Sequence, residues 1–124
     1  MGYLLVFIGG GLGSMARYGI SVFGMRLLGQ GFPWPTLLIN IVGSALMGLL
    51  TGWLAAQGTS PQSLRLFVAT GILGGFTTFS TFSLETVLLY ERGQLGLAVA
   101  YVAASVGVGV GALVLAMKLA RGMG

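Results

Sequence analysis

Apolar residues run along this chain in four long blocks, parted by short stretches of glycine, proline and polar residues. The blocks cover approximately residues 3–28, 35–56, 64–90 and 95–120, and the breaks between them fall at 29–35, 57–63 and 91–94. Each block reaches or exceeds the roughly 20 apolar residues that cross a hydrocarbon core as a helix. Pro35 suits the first turn of a helix, and Trp34 and Trp53 sit where an interfacial aromatic belt belongs. The pattern predicts an all-α membrane protein, four transmembrane helices forming one integral domain over residues 1–124. The third block stands apart. Its centre, residues 74–83, reads GGFTTFSTFS: a glycine pair followed by hydroxyl residues and two aromatics. Glycine and β-branched, hydroxyl-bearing residues make poor helix, so the third span is expected to break near 74–78 and to resume at Thr78 or Phe79. Non-helical backbone at membrane depth survives only when buried in protein or lining a hydrated cavity, and such breaks mark places where ions are held.

Composition sharpens this picture. Hydrophobic residues make up 56% of the chain and the mean hydropathy is +0.98. A soluble domain of this size has too little interior to hide that much apolar surface. The formal net charge of +4 is spread over six cations, most near predicted helix ends, where Lys and Arg anchor at the interface. It is not a nucleic-acid signature. The chain has no Cys and no His and only two carboxylates, Glu85 and Glu91. Thiol chemistry, transition-metal centres and His-based acid–base catalysis are thereby excluded or nearly so, and no nucleophile–base pair can be assembled for an enzyme. The N-terminus lacks the basic region of a cleavable signal. Gly11-Leu12-Gly13-Ser14-Met15-Ala16 fits a dinucleotide-loop spelling, but it follows no soluble strand and no ribose-binding acid comes about 20 residues later. It reads as helix packing, as do the small-residue pairs Gly9/Gly13, Gly48/Gly52, Gly71/Gly75 and Gly107/Gly111.

The charge balance across the membrane is nearly even. One side carries Arg65, Lys118 and Arg121; the other carries Arg26 and Arg92, with Glu91 beside it. This bias fits either one weakly fixed orientation or insertion both ways, which would permit an antiparallel pair.

Several polar or aromatic residues fall inside the spans, and each admits two readings. Arg17 either snorkels to the interface or attracts anions by its permanent charge. Asn40 either bonds a neighbouring helix or points its NH₂ hydrogens at an anion in a pore. Phe79 and Phe82, three apart, share a helix face; they either pack or offer the positive edges of their rings to a small anion. Glu85 either pairs with Arg17 or a backbone donor, or couples to protons. Tyr101 and Ser105, four apart, form a polar stripe or a pair of interhelical hydrogen bonds.

The block GGFTTFSTFSLE, residues 74–85, closely resembles the signature of the Fluc-type (CrcB) fluoride channels. Residues 9–18 (GGGLGSMARY) and 35–43 (PTLLINIVG) resemble the first two helices of that family. The resemblance implies a passive, fluoride-specific channel in a prokaryotic inner membrane that lowers cytoplasmic fluoride. It implies an antiparallel dual-topology homodimer with two pores and a structural Na⁺ at its centre, bound by the backbone carbonyls of Gly74 and Thr77. It places Phe79, Phe82 and Asn40 on the fluoride path, with the hydroxyls of Ser80, Thr81 and Ser83 beside them and Tyr101 and Ser105 on the fourth helix. Arg17 and Glu85 take vestibule or structural parts. The fourth-helix track departs from the family at Gly109 and Leu113, where relatives carry hydroxyls. The alternative is a proton-coupled small multidrug transporter, also four-span and antiparallel. That class needs an embedded Glu in its first helix, which this chain lacks. A non-transporting scaffold would leave the hydroxyl-rich break without a purpose.

Overall fold

Length and apolar content dictate helices that satisfy their own backbone, since lipid offers no hydrogen bonds. The computed structural model describes residues 1–29, 31–58 and 61–123. Gln30 of the first turn, and Thr59 and Ser60 of the second, fall outside the described residues. Four helical spans are long and apolar enough to cross a membrane: Gly2–Leu28, Trp34–Gln57, Gln62–Glu91 and Leu95–Gly122. The first two are uninterrupted helices, α1 (Gly2–Leu28) and α2 (Trp34–Gln57), and the fourth is α6 (Leu95–Met123). Pro35 lies in the first turn of α2, where its missing N–H has no intrahelical partner to lose.

The third span is composite. It opens with the short α3 (Gln62–Leu64) and widens into a nine-residue π-helical segment, π1 (Arg65–Leu73). It tightens again in α4 (Gly74–Phe76), breaks at Thr77 and Thr78, and continues as α5 (Phe79–Glu91). The break is narrower than the sequence predicts: Gly74, Gly75 and Phe76 remain helical, and only Thr77 (ψ 158°) and Thr78 (φ −151°, ψ 122°) are extended. Gly75 serves packing rather than the break. A Cβ on Gly75 would lie 2.4 Å from the Gly10 carbonyl of α1. The sequence does not anticipate the π-helical widening; Gly71 and Gly75 meet the same neighbour, Gly71 lying against Gly9 and Gly10.

Two close seams hold the bundle. Gly9 and Gly13 of α1 press on the Phe67 and Ile72 carbonyls of π1, and Gly48 and Gly52 of α2 press on the Leu113 and Met117 carbonyls of α6. Between the seams lies a small core of Leu37, Leu89, Ala98 and Tyr101, with Phe32 and Phe82 packed against it. Tyr101 and Ile39 are the largest fully buried side chains. Most other large apolar residues face outward, as lipid-facing helices require.

Candidate ion site at the helix break

The break is set by where three backbone groups find their partners. Thr77 directs both its N–H and its Oγ1 hydroxyl to the Leu73 carbonyl, each at 3.0 Å, which closes the first half-helix. Asn40 then clasps the next residue from both sides. Its Oδ1 accepts from Thr78 N–H at 2.9 Å and its Nδ2 donates to the Thr78 carbonyl at 3.1 Å, as a strand neighbour would. This doubly bonded amide holds Thr78 extended. Thr78 in turn caps α5: its Oγ1 accepts from Thr81 N–H at 3.3 Å and donates to Thr81 Oγ1 at 3.3 Å.

These diversions have a chemical consequence. Thr78 N–H is the donor four residues beyond the Gly74 carbonyl, and Thr81 N–H is four beyond that of Thr77. Both donate to side chains instead, so the Gly74 and Thr77 carbonyls are released from helical pairing. The carbonyl between them, Gly75, is engaged differently: Arg17 Nε donates to it at 3.2 Å and Ser14 Oγ at 3.5 Å. A guanidinium at the carbonyl end of a half-helix also meets its negative dipole end. Arg17 is therefore tied to the break. It pairs with neither Glu85 nor solvent alone, and Glu85 accepts from the Tyr101 hydroxyl at 3.0 Å.

Part of the candidate set lines two cavities, each of about 310 Å³. The one at the break is lined by Asn40, Ser44, Thr77, Phe79, Phe82 and Ser105, among others. It bears no formal charge. Ser105 Oγ is buried there with no hydrogen-bond partner. The Phe79 and Phe82 rings lie 5.8 Å apart at 48°, and Phe79 is 78% exposed. The second cavity lies between α1, α2 and α5 and holds Thr36, Thr81 and Glu85. Tyr101 stands between the two. Its ring sits 5.1 Å from Phe82 and 5.5 Å from Phe32, and its hydroxyl is on Glu85. Ser80 is exposed, with its Oγ 3.4 Å from Thr78 Oγ1. Ser80, Ser83, Gly74 and Arg17 line neither cavity.

Two residues are absent from the sequence-based candidates. Thr36, Asn40 and Ser44 recur every four residues, so they form one stripe on α2. Thr36 faces the second cavity and Ser44 the first. The four-residue spacing is visible in the sequence, but threonine and serine in a span are less distinctive than an amide.

The chemistry on offer is that of weak, neutral ligands. Asn40 keeps one amide hydrogen beyond its bond to Thr78, and Ser44 and Ser105 add hydroxyls. With two ring edges, these can replace part of the hydration shell of a small anion without trapping it. The released carbonyls of Gly74 and Thr77 suit a monovalent cation. Among the described residues no group of three or more His, Cys, Asp or Glu could hold a metal ion.

A family model described as CrcB-like protein, Camphor Resistance (CrcB), matches residues 4–117. The chain is 59% identical over 122 residues to the fluoride-specific ion channel FluC of Beijerinckia indica, covering 97% of this chain and 96% of that one. It is 52% identical over 121 residues to fluoride-specific ion channel FluC 2 of Nitrobacter hamburgensis, with 98% of each covered. It is 50% identical over 119 residues to the FluC of Agrobacterium fabrum, covering 96% of this chain and 95% of that one.

Proposed function

Because this chain belongs to the CrcB-like family, we propose that it is a fluoride-specific ion channel that lets fluoride leave the cytoplasm passively. The family is one of ion channels, not enzymes, and the chain is an integral, multi-pass membrane protein. The observation that carries the reading is the uncharged cavity at the break, where Ser105 Oγ is buried without a partner and Asn40, Phe79 and Phe82 converge. Fluoride is small and strongly hydrated. A full positive charge would hold it; hydroxyls, an amide N–H and ring edges let it pass. The hydroxyl of Thr81 extends the donor supply into the second cavity, and Tyr101 stands between the two cavities.

The same reading makes the working unit an antiparallel homodimer with two pores. Gly74, Phe79 and Ser80, which flank the break, are exposed on a single chain, and the Gly74 and Thr77 carbonyls released there need partners at membrane depth. A second copy related by a two-fold axis in the membrane plane covers this surface, and brings a second pair of Gly74 and Thr77 carbonyls to the first. Four such carbonyls would hold a structural Na⁺ at the centre. Its charge would favour anions nearby and stabilise the pair.

The test is ion efflux from liposomes containing the purified protein. Fluoride should leave and chloride should not, and a pH gradient should drive no uphill accumulation. Chloride efflux as fast as fluoride efflux, or proton-driven drug uptake, would sink the proposal. For topology, a single cysteine replacing Gln62 should label from both sides of the membrane; labelling from one side alone would rule out the antiparallel pair.

A further inference from the structure

Resting on the fluoride-channel reading, we infer that Arg92 is the charge that draws anions into the path, acting at the mouth of the second cavity. This cavity is lined at one end by Gly29, Phe32, Pro33 and Arg92, which belong to the turns at the helix ends. At the other end it reaches Ser21, Thr36, Thr81 and Glu85. Along α5 it runs from Arg92 back to Thr81, roughly 16 Å at a rise of about 1.5 Å per residue. It therefore leads from the membrane surface to within one turn of the break.

The cavity poses an electrostatic problem. Glu85, a carboxylate, lines the way of an anion. Something must offset it. Arg17, the cation tied to the break, is bound through Nε to the Gly75 carbonyl and does not line this cavity. Arg26, at the end of α1, does not line it either. Glu91 is exposed and also outside the lining. Arg92 is the one cation among the lining residues, and it is exposed to solvent. A guanidinium cannot be deprotonated at working pH. At the rim of a cleft with low-dielectric walls its field is focused inward and raises the local anion concentration. Meanwhile the Tyr101 hydroxyl draws one oxygen of Glu85 toward α6. In the antiparallel pair, each membrane face would carry one such mouth.

A field effect has a signature that packing lacks, which is dependence on ionic strength. The experiment is initial fluoride efflux from liposomes, with an impermeant organic salt setting the ionic strength on both sides. At about 10 mM the Debye length is about 30 Å, and at about 1 M it is about 3 Å. Arg92→Gln should lower efflux about threefold at low salt and leave it near the parent value at high salt. Arg92→Glu should lower it about tenfold at low salt, and Arg92→Lys should keep the parent rate at both. Arg26→Gln, outside the lining, should change little. A loss in Arg92→Gln that is equal at both salts, or no loss at all, overturns the inference. So does failure of Arg92→Lys to restore the rate. A parent protein that passes no fluoride overturns the channel reading instead, and this inference with it.

Discussion

The two halves of the third span are built on opposite principles. The first half, π1 and α4, lies flush on α1 through glycines, its buried residues include Gly71, Leu73 and Phe76, and the Gly75 carbonyl near its end is held by Arg17 and Ser14. The second half, α5, has a single buried residue, Leu89, and opens with an exposed phenylalanine and exposed serine. Apart from the Gly74 carbonyl, the first half has its partners within the chain. The second displays hydroxyls and ring edges that pair only partly with it. Backbone fit makes a fixed pillar; incomplete satisfaction makes a surface on which an ion can exchange ligands. The two threonines between them are where one regime gives way to the other.

The sharpest way to break this contrast is to wedge the pillar. A Cβ on Gly13 would sit 2.0 Å from the Ile72 carbonyl and 2.8 Å from Phe76 N, and both are backbone atoms that cannot rotate away. Gly13→Ala should cost about 3 kcal/mol or more, seen as a large drop in thermal stability in detergent and in monodisperse yield. A variant as stable as the parent would mean that the first half is no pillar. Next comes the clasp. Asn40→Ala strands Thr78 N–H at membrane depth, at about 1–3 kcal/mol for a group left unpaired, and takes away the second donor of the Thr78 carbonyl, which keeps its place at the start of α5. The protein should still fold on its two glycine seams but lose fluoride flux, and amide exchange at Thr78 should accelerate. Asn40→Asp keeps the acceptor for Thr78 N–H, but loses the donor to the Thr78 carbonyl and adds a charge that repels an anion. It should be better folded than Asn40→Ala and equally silent. Flux at the parent rate in both variants would remove Asn40 from the pore.

Much of this was legible in the sequence, for reasons that differ by region. Helices in lipid must be apolar over a fixed length, so the four spans emerge from residue counts alone, within a few residues at each end. The break was visible because hydroxyls and glycines interrupt such a run. Its fine structure was not. Gly74 and Gly75 read as helix breakers, but both are helical, and at Gly75 the α1 backbone passes too close for a side chain. Nothing local says that Gly10 will lie opposite Gly75. The π-helical geometry of π1 likewise has no signal in the sequence. For Asn40, Arg17 and Glu85 the sequence left the partners open, and those partners lie 38, 58 and 16 residues away. Side chains that reach across helices pair according to the fold, and periodicity along one helix does not contain that information.

The second half is probed by changing ring chemistry while holding volume. Phe79→Ile and Phe82→Ile keep an apolar side chain but delete the quadrupole. Each should lower fluoride flux about tenfold, equivalent to about 1.4 kcal/mol of barrier. Stability should separate the two. Phe79 is 78% exposed on the chain, so its loss should leave unfolding unchanged; Phe82 packs 5.1 Å from Tyr101, and its replacement should cost up to about 1.5 kcal/mol. If both variants conduct at the parent rate, the rings only pack, and α5 resembles π1 more than the comparison allows.

The smallest effect is expected at the fourth glycine pair, and it tests the rule behind the pillar. Gly9/Gly13, Gly48/Gly52 and Gly71/Gly75 each press on backbone of another helix, whereas a Cβ at Gly107 or Gly111 would meet nothing within 4 Å. If close approach is what demands glycine, Gly107→Ala should be harmless. It should even gain a few tenths of a kcal/mol, up to about 1, because alanine is the better helix former. Thermal unfolding and fluoride efflux of Gly107→Ala should match or slightly exceed the parent, while Gly48→Ala, whose Cβ would lie 2.3 Å from the Leu113 carbonyl, should be severely destabilised. A Gly107→Ala protein that folds as a monomer but fails to pair would show that this face of α6 is a seam between copies. The contrast between satisfied and exposed glycines would then hold for the single chain but not for the assembly.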